Sequence, residues 1–249
     1  IKDTRRRYHH LPEQRQLSLP TRRTQTRIKA KMPIDLYYMP LSPPCRSVLL
    51  TAKAVGVDLN LKLLDLMTKE QMKPEFVALN PQHSVPTMVD GDLKLWESRA
   101  ICTYLASKYG KDDSLYPSDP KTRALVDRLL YFDMDRLYFR FGEYVYPVMF
   151  FGQEKLDPAK LEKLHEALGW LDGFLAGHDW AVGNSVTVAD FVLVASVSTF
   201  EVSGIDLSKH RNVTAWLARC KNGLRGYHEA NTPGVNDIGK MAKAKLAGK

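Results

Sequence analysis

The sequence predicts an α/β domain followed by an all-helical domain, and three observations lead there. Alternation of apolar and polar residues with the period of a strand is confined to the stretch from Ile34 to Trp96. Beyond Thr122 it gives way to apolar residues spaced at three and four, the period of a helix. Between the two lies Lys111–Pro120, polar and carrying Pro117 and Pro120, which reads as a connection between domains. The expected layout is residues 1–31 as a basic, disordered extension, 32–112 as the α/β domain and 121–249 as the helical one.

Within the first domain Ile34–Tyr38 alternates as a strand. Met39-Pro40-Leu41-Ser42 breaks it. Pro43-Pro44 then favours a helix beginning just after Ser42, because serine suits an N-cap and proline the first helical turn. That helix runs through Arg46–Val55 and ends near Gly56. Leu59, Leu61 and Leu63 alternate as a second strand, and a helical piece is expected around Pro74–Leu79. Two short apolar runs, Thr87–Val89 and Leu93–Trp96, flank Asp90-Gly91, a hairpin signal. Glu97-Ser98-Arg99-Ala100-Ile101 reads as the opening of a helix. The order strand, helix, strand, helix, strand, strand, helix gives a βαβ unit with an antiparallel pair added.

In the second domain Thr122–Phe151 is a long aromatic-rich helical stretch, with Gly142 and Pro147 as expected bend points. Leu161, Leu164, Leu168, Leu171 and Leu175 mark an amphipathic helix entered at Asp157-Pro158. Thr187-Val-Ala-Asp190 fits a capping box with aspartate in place of glutamate, and Val186 and Phe191 are placed for the accompanying staple. Phe191–Val202 is apolar nearly all round, so it is expected at the centre of the second core. Its length and Asp190 argue against a membrane span, as does the lack of any run of roughly 18 apolar residues. Trp216 and Leu217 belong to a further helix, and the Lys-rich tail from Lys240 is expected to be solvated.

A net charge of +8 first suggests a nucleic-acid partner. Ten of the 36 Lys and Arg, but only two of the 28 Asp and Glu, fall in residues 1–31, which leaves 26 of each sign in the rest. A neutral folded part argues against nucleic acid. The basic segment has no apolar stretch of a secretory signal, and three readings of it stay open: an appendage before a start at Met32-Pro33, a targeting segment, or a basic tail. Cys45, Cys102 and Cys220 show neither paired nor metal-like spacing, which points to a reducing compartment. The histidines form no ligand spacing, so no metal is assigned.

Asn80–Arg99 gathers the features of a binding site. Pro86 at a strand start gives up no ladder donor, and a cis Val85-Pro86 bond would turn the N–H and C=O of Val85 outward to pair with an extended peptide. The helix start at Glu97 offers unpaired N–H groups and a positive dipole end, which suits a carboxylate. Together they form a seat for a small anionic peptide. Ser42 adds a second feature, at the strand-to-helix turn Ser42-Pro-Pro-Cys45. A βαβ unit followed by ββα with such a turn resembles the thioredoxin fold, whose redox members place an activated cysteine where Ser42 stands. A hydroxyl cannot attack a disulfide as a thiolate does. It can donate a hydrogen bond to a bound thiolate and favour its ionisation.

With Asn-Pro-Gln-His-x-Val-Pro-Thr at 80–87, Trp-Glu-Ser-Arg-Ala-Ile at 96–101 and the Thr187–Asp190 cap in that order, the chain resembles the cytosolic glutathione S-transferases. Tyr37-Tyr38, Ser42-x-Pro-Cys-Arg46 and Leu130-Tyr-Phe-Asp-Met134 are similar to the insect delta class. The resemblance spans Met32 to about Gly234. It implies a cytoplasmic homodimer that conjugates glutathione, as co-substrate and with no further cofactor, to hydrophobic electrophiles in detoxification. It also implies roles for particular residues. Ser42 would be the catalytic, thiol-stabilising residue, and Val85 the backbone partner of the cysteinyl unit. Glu97, Ser98 and Arg99 would hold the γ-glutamyl end, with Arg99 near a subunit interface. His83 would take the glycine carboxylate, and Gln82 belongs to the same glutathione-binding set. Met39 and Pro44, with the aromatic and Met-rich series Tyr138, Phe141, Tyr146, Met149 and Phe150, would meet the hydrophobic substrate.

Three departures from the delta pattern stand out. Leu41 replaces a glycine beside the serine and adds bulk there; Gln71 replaces a second histidine and can donate a hydrogen bond but no charge; Asp135-Arg136 replaces a small uncharged pair. Taken singly, each candidate has an ordinary reading. Ser42 would be an N-cap, His83 a loop histidine, Glu97 a dipole partner, Arg99 a solvated or paired side chain, the aromatic series a core, and Cys45 and Cys102 buried and inert. Only their combination favours the enzyme. A thiol oxidoreductase using Cys45, a glutathione- or lipophile-binding protein without turnover, and a protein-interaction module remain as alternatives.

Overall fold

In the computed structural model, residues Pro33–Gly248 are described, and the expectation for residues 1–31 lies outside them. The first half follows the expected order: β1 (Ile34–Tyr38), α1 (Pro43–Val55), β2 (Leu59–Leu63), α2 (Pro74–Val77), β3 (Thr87–Asp90), β4 (Leu93–Trp96) and α3 (Ser98–Tyr109). The sheet order is β2-β1-β3-β4, with β1 parallel to β2 and antiparallel to β3. Register places Leu36 opposite Met88 and Tyr37 opposite Thr87, so the centre of the sheet is wholly buried at Leu36, Met88 and Thr87. This is a thioredoxin-like arrangement. Gly56 ends α1 at φ +74°, a left-handed turn that glycine adopts without strain. The hairpin loop is Gly91-Asp92, one residue later than the Asp90-Gly91 signal, because Asp90 is the last residue of β3. Its carboxylate accepts hydrogen bonds from Tyr104, Tyr109 and Lys108, which ties the hairpin to α3.

Leu61 and Leu63 correct the expectation of a half-buried second strand. They are 45% and 65% exposed because β2 is an edge strand.

The second half is helical throughout: α4 (Pro120–Phe132), α5 (Tyr138–Phe150), α6 (Pro158–Leu175), α7 (Val188–Val202), α8 (Arg211–Gly223), α9 (Tyr227–Ala230) and α10 (Thr232–Leu246). The expected break in the long aromatic helix lies elsewhere than at Gly142 or Pro147. A π turn at Asp133–Leu137 joins α4 to α5, a feature with no glycine or proline to announce it. Pro147 sits inside α5 without ending it. The carbonyl its missing N–H would have bonded, that of Glu143, accepts from Lys160 Nζ at 3.2 Å instead.

The capping box at α7 is present. Asp190 accepts the Thr187 N–H at 2.9 Å, and also the Ala181 N–H at 2.8 Å and the Trp216 indole N–H at 2.9 Å. These three charge-assisted bonds hold a carboxylate in the core while burial pushes its pKa up. Every residue of α7 from Val188 to Phe200 is buried, as its apolar surface demands. The lysine-bearing tail is a helix rather than a free end. Val235, Ile238 and Ala242 are buried on α10, while Lys240, Lys243 and Lys245 are exposed. Among the described residues, no helix is long and apolar enough to cross a membrane.

Candidate active site

Two places where β-structure hands over to a helix create the site. At the first, the Ser42 oxygen accepts the Cys45 N–H at 3.4 Å as the N-cap of α1. Accepting that bond leaves the hydroxyl proton free to be donated. Ser42 is half-buried and opens into a cleft of about 500 Å3. Met39, Leu41 and Pro43 flank it, α5 contributes Tyr138, Tyr146 and Phe150, and Gln71 comes from the connection after β2. The Tyr138 and Tyr146 hydroxyls are hydrogen-bonded to each other at 2.7 Å, and burial pushes both phenols above their ordinary pKa.

At the second, Val85-Pro86 is cis, and Pro86 is buried beside the start of β3. The loop before it is built on Asn80, which is wholly buried. The Asn80 amide donates to Ser84 O, Ser84 Oγ and Thr87 Oγ1 at 2.9–3.2 Å, and its side-chain oxygen accepts the Gln82 N–H at 2.9 Å. Gln82 and His83 are exposed at the tip, with His83 in the left-handed region at φ +44°. Glu97 is exposed at the N-cap of α3 at φ +69° and makes no capping bond with its side chain. Such positive φ values in non-glycine residues store strain, which is found most often at functional sites. Ser98 is buried, and its Oγ accepts from Arg99 Nη1 at 3.2 Å.

Arg99 differs from a free anion-binding arginine. Its Nη2 pairs with Asp133, a wholly buried carboxylate on the π turn, and its guanidinium lies 5.9 Å from the centre of the Tyr138 ring. Burial pushes the Asp133 carboxyl up and the Arg99 charge opposes it. The pair fastens the helix that begins at Ser98 to the helical half.

Comparison with known proteins gives the same answer from outside. Residues 32–107 match the family model of the glutathione S-transferase N-terminal domain, and residues 125–222 that of the C-terminal domain. Glutathione S-transferase D7 of Anopheles gambiae is 48% identical over 213 residues, covering 85% of this chain and 97% of the relative. The chain belongs to the glutathione S-transferase family. Solved structures place the transferase beside delta-class enzymes. A delta-class glutathione transferase of Nilaparvata lugens is 55% identical, with a TM-score of 0.83 over 86% of this chain and all of the other. A Bombyx mori glutathione transferase is 44% identical, with a TM-score of 0.81 over 84% and 97%.

Of the transferase's expected hydrophobic-site residues, Met39, Tyr138, Tyr146 and Phe150 line the cleft with Ser42. Phe141 and Met149 do not. Phe141 is 1% exposed and stacked on Phe200 at 4.5 Å, and Met149 is buried in the same core. They face inward because α5 must bury one side, and the spacing of the series does not say which. Pro43, rather than Pro44, reaches the cleft. Sequence reasoning missed Leu66, Met67, Lys69, Phe151 and Ile238 on the lining. For Ile238 a signal existed, since Val235, Ile238 and Ala242 recur at three and four. The others lie in connections without a period to read.

Cys45 of the transferase is wholly buried and accepts the Met39 N–H at 3.5 Å. Burial pushes its thiol up to about 11, against the pull of Ser42, the Met39 N–H and Arg46. That is the environment of an inert cysteine.

Proposed function

We propose that this enzyme conjugates glutathione to hydrophobic electrophiles, with the Ser42 hydroxyl donating a hydrogen bond to the glutathione thiolate. The observation that carries the reading is Ser42 itself. It caps α1 as an acceptor, keeps its own proton for donation, and opens on a cleft lined largely by Met, Leu, Tyr and Phe side chains. The cis Val85-Pro86 bond and the strained, exposed helix start at Glu97 support a peptide seat, with Gln82, His83, Val85, Glu97 and Ser98 as its contacts and Arg99 as its anchor. An apolar cleft beside an activated thiol works by proximity as well as by ionisation. A role in detoxification follows from such broad acceptor chemistry. Three free, buried cysteines suit the cytoplasm. Leu125, Tyr131 and Met134, exposed beside the Arg99 anchor's helix, suit a homodimer of two-fold symmetry, with residues 32–112 and 121–249 as the two domains of each subunit.

The test is Ser42→Ala. Losing one charge-assisted hydrogen bond, about 1.5–3 kcal/mol, should raise the pKa of bound glutathione by roughly one to two units. Conjugation of an aryl halide at neutral pH should fall about ten- to a hundredfold, with glutathione affinity largely kept. Cys45→Ala should leave conjugation nearly unchanged. Disulfide reduction that disappears in Cys45→Ala would instead favour the oxidoreductase. Because Leu41 stands in the cleft beside Ser42, retention on immobilised glutathione without turnover would favour the binding protein. Neither retention nor turnover would favour the interaction module.

A further inference from the structure

Arg46 is wholly buried, and no carboxylate among the described residues pairs with it. Its Nη1 donates to Asn231 Oδ1 at 2.6 Å and its Nη2 to Thr199 Oγ1 at 2.5 Å, both neutral acceptors, while Nε has no partner. A buried cation without a counter-charge is unfavourable to folding, and apolar replacement of buried charges is often neutral or stabilising. Burial draws the guanidinium down to about 10, which leaves it a cation at neutral pH.

The elements packed against α1 offer it no compensation. On α7, Asp190 is held by Thr187, Ala181 and Trp216, and Glu201 by Lys221. On α9, Glu229 pairs with Lys53. On α3 there is no acidic residue, and the cations Arg99 and Lys108 are paired with Asp133 and Asp90. The titratable groups that feel Arg46 are Tyr138, Tyr227, Tyr146 and Cys45, and burial keeps each of them neutral at neutral pH. Two of the four, Tyr138 and Tyr146, are walls of the Ser42 cleft. Arg46 also stands one turn into the helix that Ser42 caps, its N–H bonded to Ser42 O at 3.1 Å.

We infer that Arg46, without touching substrate, supplies an uncancelled positive charge behind the cleft wall that lowers the thiol pKa of glutathione bound at Ser42. The inference rests on the conjugation reading above. A helical rise of about 1.5 Å per residue sets Arg46 roughly 6 Å along the axis from the cap. A unit charge roughly 10 Å from a thiol, at an effective dielectric constant of about 20, moves its pKa by about one unit.

Asn231→Asp tests this cleanly. It keeps the shape and the oxygen that Arg46 Nη1 uses, and it cancels the charge. The readings are the pKa of the bound glutathione thiol, taken by ultraviolet titration of the thiolate, the pH profile of kcat/KM, and Tm. Asn231→Asp should raise the thiol pKa by about one unit and lower conjugation about tenfold at pH below both values, with little effect well above them and Tm unchanged or higher. Arg46→Lys, which keeps a charge, should stay near the wild-type pKa. If Asn231→Asp does not fold, Arg46→Met makes the same test. A folded charge-cancelled variant with the wild-type thiol pKa, its Tm alone moved, would make Arg46 a strut and overturn the inference while leaving the Ser42 reading intact. A wild-type protein that binds glutathione with an unlowered thiol pKa would overturn both.

Discussion

Asn80 shows how a residue with no chemical part to play can govern a binding loop. It is wholly buried, and four of its hydrogen bonds hold Gln82, Ser84 and Thr87 around the cis bond that turns Val85 outward. At about 1 kcal/mol net for each bond not remade, Asn80→Ala should lose roughly 3 kcal/mol in urea unfolding. Because the loop and not the nucleophile is loosened, KM for glutathione should rise severalfold while kcat changes little. A parallel fall in kcat would place Asn80 in the chemistry instead. The Asn-Pro-Gln-His motif drew the eye to His83, yet His83 is exposed at the tip and Asn80 is the residue beneath it. A sequence marks polar residues without saying which of them are buried, so supporting and contacting residues look alike.

The helices α6 and α8 meet at a pair of histidines that no motif announces. His165 Nδ1 and His210 Nε2 are 3.2 Å apart with their rings stacked, so one neutral ring donates to the other's lone pair. Burial, then the charge of His165, holds the pKa of His210 below its ordinary value. The unfolded chain therefore binds more protons than the native one between the native value and about 6.5. This contribution to stability is fully present above pH about 6.5 and is lost as pH falls through the depressed native pKa. Tm should fall between pH 7.5 and 5.5, and His210→Gln should remove part of that fall. An unchanged slope in the variant would assign the effect to other groups. Element order, the helix caps and the central α7 were legible because each follows from local rules of periodicity and capping. What was not legible depends on neighbours in space. Leu61 and Leu63 are exposed only because β2 has nothing on its outer side, and the inward turn of Phe141 reflects Phe200 across the core.

At the scale of the molecule, two arginines from the α/β half reach into the helical half, Arg46 to Thr199 and Asn231, Arg99 to Asp133. Gly234 at the start of α10 lies so close to this join that a Cβ there would stand 2.1 Å from Pro40 O and 2.7 Å from Arg46 Cδ. The cleft is thus assembled from pieces whose spacing each half dictates to the other. The π turn at Asp133–Leu137 sets one of those spacings, since its bonds reach one residue further than those of an α-helix. Removing a single exposed residue from it, Asp135, would let the backbone return to α geometry and rotate everything beyond by about 100°. Asp133, before the deletion, would keep its hold on Arg99, while Tyr138 and Tyr146 would swing away from Ser42. The deleted form should still bind glutathione but display a changed ranking of electrophiles, and an unchanged ranking would show that the turn does not set the wall. In this family member acceptor preference is then partly a matter of phase, open to revision by the loss of one codon as well as by substitutions in the wall.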